Sequence, residues 1–323
     1  MNNKDFILSF EEAKRQLLGA NKIVIVSHRS PDPDTVGASI ALNRALTKLG
    51  KTVTACAVDK LADFLNFFEE AKNFEQELPS SGFDLLVILD CGSIEQTGLQ
   101  KEFSVLKAKQ VRSISIDHHS TNSKFADLNI VQPDSAATCE ILYDFLCLVG
   151  WSIDEVQATA LLLGIYYDTG RFMHSNTSAK NLQIAADLLN LGADFEFVVK
   201  SLYKTKPYEQ LKLWGLIWNR ARINDKNIVV SAVTDDDLKS CGAKKEHLSG
   251  AIDYMNSIAG TKFCMLLTDD QTGVKASVRT QRDDIDLSKF SLIFGGGGHK
   301  KASGFTIPGK IYKEIEVKWR ISV

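Results

Sequence analysis

A chain of 323 residues that is 44% hydrophobic and 24% charged is long enough for two domains with separate cores and too apolar to remain disordered. A net charge of −2 argues against a protein that coats long nucleic acid, because that affinity comes from clustered Lys and Arg. The longest apolar run, starting at Ala160, is too short to cross a bilayer, and Met-Asn-Asn-Lys-Asp at the start lacks a signal-peptide stretch. A cytoplasmic protein without a membrane partner is therefore expected.

Short β-rich apolar runs at Ile23 to Val26, Thr52 to Val58, Leu85 to Leu89 and Ser113 to Ile116 alternate with helix-like stretches. That alternation predicts a doubly wound parallel sheet buried on both faces. Between the first two strands, Val36, Ile40, Ala41, Leu46 and Leu49 predict a helix over Thr35 to Leu49, stopped by Gly50. Ser152-Ile-Asp-Glu155 reads as a capping box opening a helix through Tyr167, and Ser178 to Leu191 as an amphipathic helix stopped by Gly192.

Tyr208 to Arg222 reads as a further helix, carrying Trp214 and Trp218, and the composition changes near Lys226. Beyond it come a strand (Asn227 to Val233), a helix (Lys244 to Ile258), strands at Lys262 to Leu267 and Val274 to Arg279, a glycine run and a strand through Ile307. The expected organisation is a larger domain over 1–200, a helical linker over 201–225 and a smaller α/β domain over 226–323. The six cysteines form no C-x-x-C pair, so reduced thiols are expected rather than disulfides or structural zinc.

Acidic and histidine residues recur just past the predicted strands. His28, Asp32 and Asp34 follow the first, Asp90 the third, and Asp117-His118-His119 the fourth; Asp168 lies in Tyr-Tyr-Asp-Thr-Gly-Arg-Phe. Open α/β sheets bind ligands at that edge. Taken singly, each segment has a plainer reading as a helix cap, a turn or a polar surface pair. Together, converging carboxylates would repel one another unless cations neutralise them. Two divalent metals would do so, and a carboxylate and imidazole donor set without thiolate points to a manganese-like ion, with magnesium, cobalt or zinc as alternatives. Downstream, Gly296-Gly297-Gly298-His299 carries no carboxylate and suits a substrate grip, with backbone amides open to a phosphate, and Arg279 suits a bidentate phosphate contact.

With His28-x-x-x-Asp32-x-Asp34, Asp90, Asp117-His118-His119 followed by Asn122, Asp168-Thr-Gly and Gly296-Gly-Gly-His299 in order, the chain resembles the DHH phosphoesterase family. The resemblance is to its branch with a C-terminal DHH-associated domain, close to the nanoRNase and pAp-phosphatase group. It implies that His28, Asp32 and Asp90 hold one metal, that Asp34, Asp90, His118 and Asp168 hold the other, and that Asp90 bridges them. It further implies that Asp117 orients His118, that His119 faces the scissile phosphate, and that the glycine run and His299 recognise substrate. Pro33 departs from the pattern, since a small residue is frequent there, and a lost amide in that loop could alter activity.

The expected activity is manganese-dependent hydrolysis of short RNA or dinucleotides to mononucleotides, with 3′-phosphatase activity on pAp. The alternatives are a cyclic di-AMP or linear-dinucleotide phosphodiesterase, a pyrophosphatase or polyphosphatase, and a non-catalytic nucleotide sensor. Oligomeric state is left open, and exposed apolar surface on the Trp-bearing helix would suit a homodimer contact.

Overall fold

The computed structural model describes residues 3–203, 206–270 and 273–312, and the chain forms two compact units, Met1–Thr205 and Lys206–Val323. In the first unit, strands β1 (Lys22–Val26), β2 (Thr52–Cys56), β3 (Leu85–Leu89), β4 (Arg112–Asp117) and β5 (Leu128–Val131) alternate with helices. These helices are α1 (Asn3–Gly19), α2 (Pro33–Lys48), the single turn α3 (Glu69–Lys72), α4 (Gln100–Ala108), α5 (Thr138–Val149), α6 (Glu155–Asp168), α7 (Ala179–Asn190) and α8 (Phe195–Tyr203).

The five strands are all parallel, in the order β2-β1-β3-β4-β5. Both faces are covered, as the continuous apolar strands require. Ile23, Ile25, Leu85, Val87 and Leu89 pack with α1, α2, α5 and α6, while Val24, Val26, Leu86 and Ile88 meet Phe103 and Leu106 of α4. Truncating a buried residue such as Ile25 to Ala would cost about 2–5 kcal/mol. The strand order reverses between β1 and β3, and the crevice at such a switch point opens at the C-terminal strand ends. A close helix crossing brings α6 to the same place: a Cβ on Gly164 would lie 2.7 Å from Asp34 Oδ1 and 2.4 Å from Cys139 Sγ.

The second unit contains α9 (Tyr208–Arg220), β6 (Arg222–Ile223), β7 (Ile228–Val233), α10 (Asp235–Cys241), α11 (Ala251–Met255), β8 (Phe263–Asp270), β9 (Gly273–Arg279), α12 (Leu287–Leu292), β10 (Gly297–Gly298) and β11 (Ala302–Ile307). Its sheet runs β10-β11-β9-β8-β7-β6 and is antiparallel except at β7–β8. Helix α9, expected as a linker, packs inside this unit, with Leu213 and Ile217 buried beside Val229, Val233 and Met255. The protein is thus α/β, with a doubly wound parallel sheet and a smaller mixed unit.

Several local expectations shift. The capping box at α6 is Asp154 with Gln157 rather than Ser152 with Glu155. The helix expected over Lys244 to Ile258 is broken into a 3-10 turn, Lys245–Leu248, and the short α11, because Gly250 takes a left-handed conformation (φ 84°) between them. Among the described residues, no helix is long and apolar enough to cross a membrane.

Candidate metal centre

The loop after β1 turns through Ser30, at φ 51°, into Asp32. Asp32 caps α2, its Oδ1 accepting the amide protons of Asp34 at 2.9 Å and Thr35 at 3.1 Å. Pro33 is the first helical residue, where an N–H would have no intrahelical partner and a fixed φ suits the helix. The departure at Pro33 therefore removes no needed donor and leaves both aspartates in place.

Asp34 is fully buried and points at the start of α5, where its oxygens accept the amide protons of Thr138 at 2.6 Å and Cys139 at 2.9 Å. Asp90 follows β3 in a left-handed conformation, φ 61°, that turns its side chain into the crevice while its amide donates to the Ile116 carbonyl at 2.9 Å. Its Oδ1 accepts from the Thr138 hydroxyl at 3.0 Å, a contact that no sequence motif announces.

Two donor groups result. His28, Asp32 and Asp90 form one, and Asp34, His118 and Asp168 the other, with the donor atoms of each within 4.8 Å of one another. Asp90 stands between them: Oδ2 is 3.5 Å from His28 Nε2, and Oδ1 is 3.5 Å from His118 Nε2. His118 Nε2 also lies 3.3 Å from Asp168 Oδ2 at the end of α6. A third grouping joins Asp90, His118 and His119. All of these except the fully buried Asp34 border a pocket of about 460 Å³ whose wall also includes Arg29, Glu95 and Gln96.

Electrostatics test whether the donor set fits metal ions. Burial and the repulsion of Asp90 and Asp32 push Asp34 well above the usual carboxylate range. Asp168 is pushed to about 10 by burial and by Asp34, Asp32 and Asp90. Burial pushes His28 down, but Asp32 and Asp90 outweigh it and raise its pKa to about 11. Four crowded carboxylates with imidazoles facing them are a donor set that divalent cations neutralise, so the residues fit such ions.

At the end of β4 the expectation for Asp117 is corrected. Asp117 Oδ1 accepts from His119 Nδ1 at 2.7 Å, and Oδ2 accepts from Asn122 Nδ2 at 2.7 Å. His118 Nδ1 instead faces the Ser135 carbonyl at 3.3 Å. The pairing forms where the chain leaves β4, which ends at Asp117. Burial pushes Asp117 up, but His119 and Asn122 hold it below the usual carboxylate range. The hydrogen bond to Asp117 in turn raises His119.

The remaining expected site residues, Arg279 and Gly296 to His299, belong to the second unit. Gly297 pairs with Gly304 and Gly298 with Ser303, and His299 donates its amide to the Ala302 carbonyl at 2.8 Å, closing a tight hairpin. Arg279 Nε lies 3.3 Å from Asp253 Oδ1. Arg29, Gln96 and Thr138 are site residues that sequence reasoning missed; only Arg29, next to His28, carried any signal.

The DHH family, N-terminal domain, matches residues 22–165, and the DHHA1 domain matches 223–317. The chain is 32% identical over 291 residues to the bifunctional oligoribonuclease and PAP phosphatase NrnA of Thermus thermophilus, covering 89% of this chain and 84% of that protein. It is 24% identical over 288 residues to the protein of the same name from Bacillus subtilis, covering 88% and 89%. An exopolyphosphatase-related protein from Bacteroides fragilis shares the fold at a TM-score of 0.85 and 25% identity, covering 95% of this chain and 92% of that one.

Proposed function

The chain belongs to the DHH family of phosphoesterases, and from that premise we propose that it hydrolyses very short oligoribonucleotides and linear dinucleotides to mononucleotides and removes the 3′-phosphate of pAp. The observation that carries this reading is the pair of donor groups meeting at Asp90. In the proposal His28, Asp32 and Asp90 hold one divalent ion, Asp34, Asp90, His118 and Asp168 hold a second, and both are manganese. Such ions supply positive charge to the phosphoryl oxygens and make a nearby water acidic enough to attack phosphorus.

The chain's own residues do the rest. Asp117 holds His119 in one orientation and favours its protonated form, so His119 can stabilise the phosphate and give a proton to the departing ester oxygen. Water adds to phosphorus, the P–O ester bond breaks, and the alcohol leaves protonated while the water's proton restores His119. Arg279, the amides of Gly296, Gly297 and Gly298, and His299 are the proposed grip on the rest of the substrate. The same proposal includes a cytoplasmic location and a homodimer through α9, on which Tyr208 and Leu211 are exposed.

A sensor without turnover would need a disabled site, and Pro33 at the first position of α2 disables nothing. Polyphosphate is disfavoured by a pocket wall that, among the described residues, has a single arginine and no lysine. The test is product release from pApA, pAp, a five-nucleotide RNA and cyclic di-AMP with manganese, comparing the protein with its Asp90→Asn variant. Release from the first three that the variant abolishes supports the proposal. Release from cyclic di-AMP alone would replace it with the cyclic-dinucleotide reading, and no release from any would reject it.

A further inference from the structure

Arg29 has no part in either donor group, yet its placement is built. Its amide donates to the Gln96 carbonyl at 2.7 Å, which ties the residue to the turn over Ile94–Thr97. Gly98 closes that turn in a left-handed conformation, φ 74°, and a Cβ there would lie 3.0 Å from Arg29 Cδ. The aliphatic stem therefore rests on a surface kept bare for it. Its one ion pair among the described residues is loose: Nε is 3.6 Å from Asp59 Oδ2, both side chains are partly exposed, and Asp59 already accepts the Ser30 amide at 2.9 Å. Such a pair holds a guanidinium weakly.

Arg29 is also the only Lys or Arg bordering the metal-site pocket among the described residues, a wall it shares with His28, Asp90, Glu95, His119 and Asp168. A guanidinium at the edge of a pocket that receives a phosphate is suited to a bidentate contact with its free oxygens. A terminal phosphate offers three such oxygens and nearly two negative charges at neutral pH, whereas an internal diester offers two oxygens and one charge. We infer that Arg29 binds the phosphate being hydrolysed and biases the site toward phosphomonoesters over phosphodiesters. This inference rests on the phosphoesterase function proposed above and adds a specificity determinant to it.

The test measures kcat and KM of the manganese-loaded protein and of Arg29→Ala and Arg29→Lys on pAp, a monoester, and on pApA, a diester. Arg29→Ala is expected to lower kcat/KM on pAp about tenfold or more and on pApA about threefold or less, with an unchanged melting temperature. Arg29→Lys should restore part of the loss on pAp, since it returns the charge without the fork. Equal losses on both substrates, or no loss on either, would overturn the inference while leaving the hydrolase reading intact. A wild-type protein inert on both substrates would remove the functional reading and this inference with it.

Discussion

His119 Nδ1 donates to Asp117 Oδ1 at 2.7 Å, and Asn122 holds the other carboxylate oxygen. That pairing makes His119 and Asp117 one working unit, so their substitutions should not add. Asp117→Asn and His119→Ala are each expected to lower kcat on a dinucleotide by about 10²-fold or more, and the double variant to fall little further. Steady-state kinetics on the four proteins of the cycle decide the matter. Multiplying effects would mean that Asp117 acts through another group.

Asp90 should govern metal binding, and Asn is the substitution to use because it tolerates the left-handed backbone at this position. Ions that bind the folded chain at a hundred times their Kd stabilise it by about 2.7 kcal/mol, or roughly 5–10 °C for a unit of this size. Saturating manganese should raise the melting temperature of the wild type by that order, and chelator should reverse it. Asp90→Asn should show little of either response in a thermal scan, and a full manganese shift in the variant would argue against the bridging position.

Two neighbouring glycines in the run should behave differently. A Cβ on Gly296 would lie 2.2 Å from the Gly304 carbonyl oxygen, whereas one on Gly297 would meet open space without a positive φ. Gly296→Ala should therefore destabilise the second unit by about 1–3 kcal/mol in urea unfolding. Gly297→Ala should melt like the wild type but raise KM severalfold, because the added methyl obstructs a ligand rather than the fold. An unchanged KM would remove Gly297 from the proposed grip.

Acid should loosen the second unit through Asp237. Two hydrogen bonds from Arg220, one at 2.8 Å, hold its carboxyl at about 2, below the ordinary 3.8. A depressed carboxylate contributes stability that is present above pH 4 and lost as pH falls through 2. The shift corresponds to about 2 kcal/mol, reduced to about 1–2 kcal/mol because Arg220 is partly exposed. Asp237→Asn should lose that amount at pH 7 and show a flatter stability profile between pH 4 and 2, measured by urea unfolding at each pH.

Pro33→Gly should leave kcat/KM within about twofold of wild type. It should lower stability by about 0.4–1 kcal/mol, because proline already has the φ that α2 requires at its first position. A large gain in activity would revive the idea that proline impairs this loop.

Local physics made much of this protein legible from its residues alone. Leu85 to Leu89 reads as a strand with the bounds observed, because a continuous apolar run buried on both faces has few alternatives. The strand-end positions of Asp32, Asp90 and Asp117 likewise follow from the alternation of strands and helices, and His28, Asp32, Asp34, Asp90, His118 and Asp168, which the motifs single out, lie together in the structure. Strand β5, with only Leu128–Val131, and the helices α10 and α12 are too short for periodicity to distinguish from loops.

Tertiary structure alone decided which neighbours those residues meet. That Asp117 holds His119 depends on the side to which the chain turns after β4, and that Thr138 reaches Asp90 depends on α5 starting beside the end of β3. Arg29 borders the pocket in the structure, with the turn ending at Gly98 beneath its side chain. Periodicity records what each segment buries, whereas a contact between residues tens of positions apart is set by where strand ends and helix starts fall once the sheet has assembled.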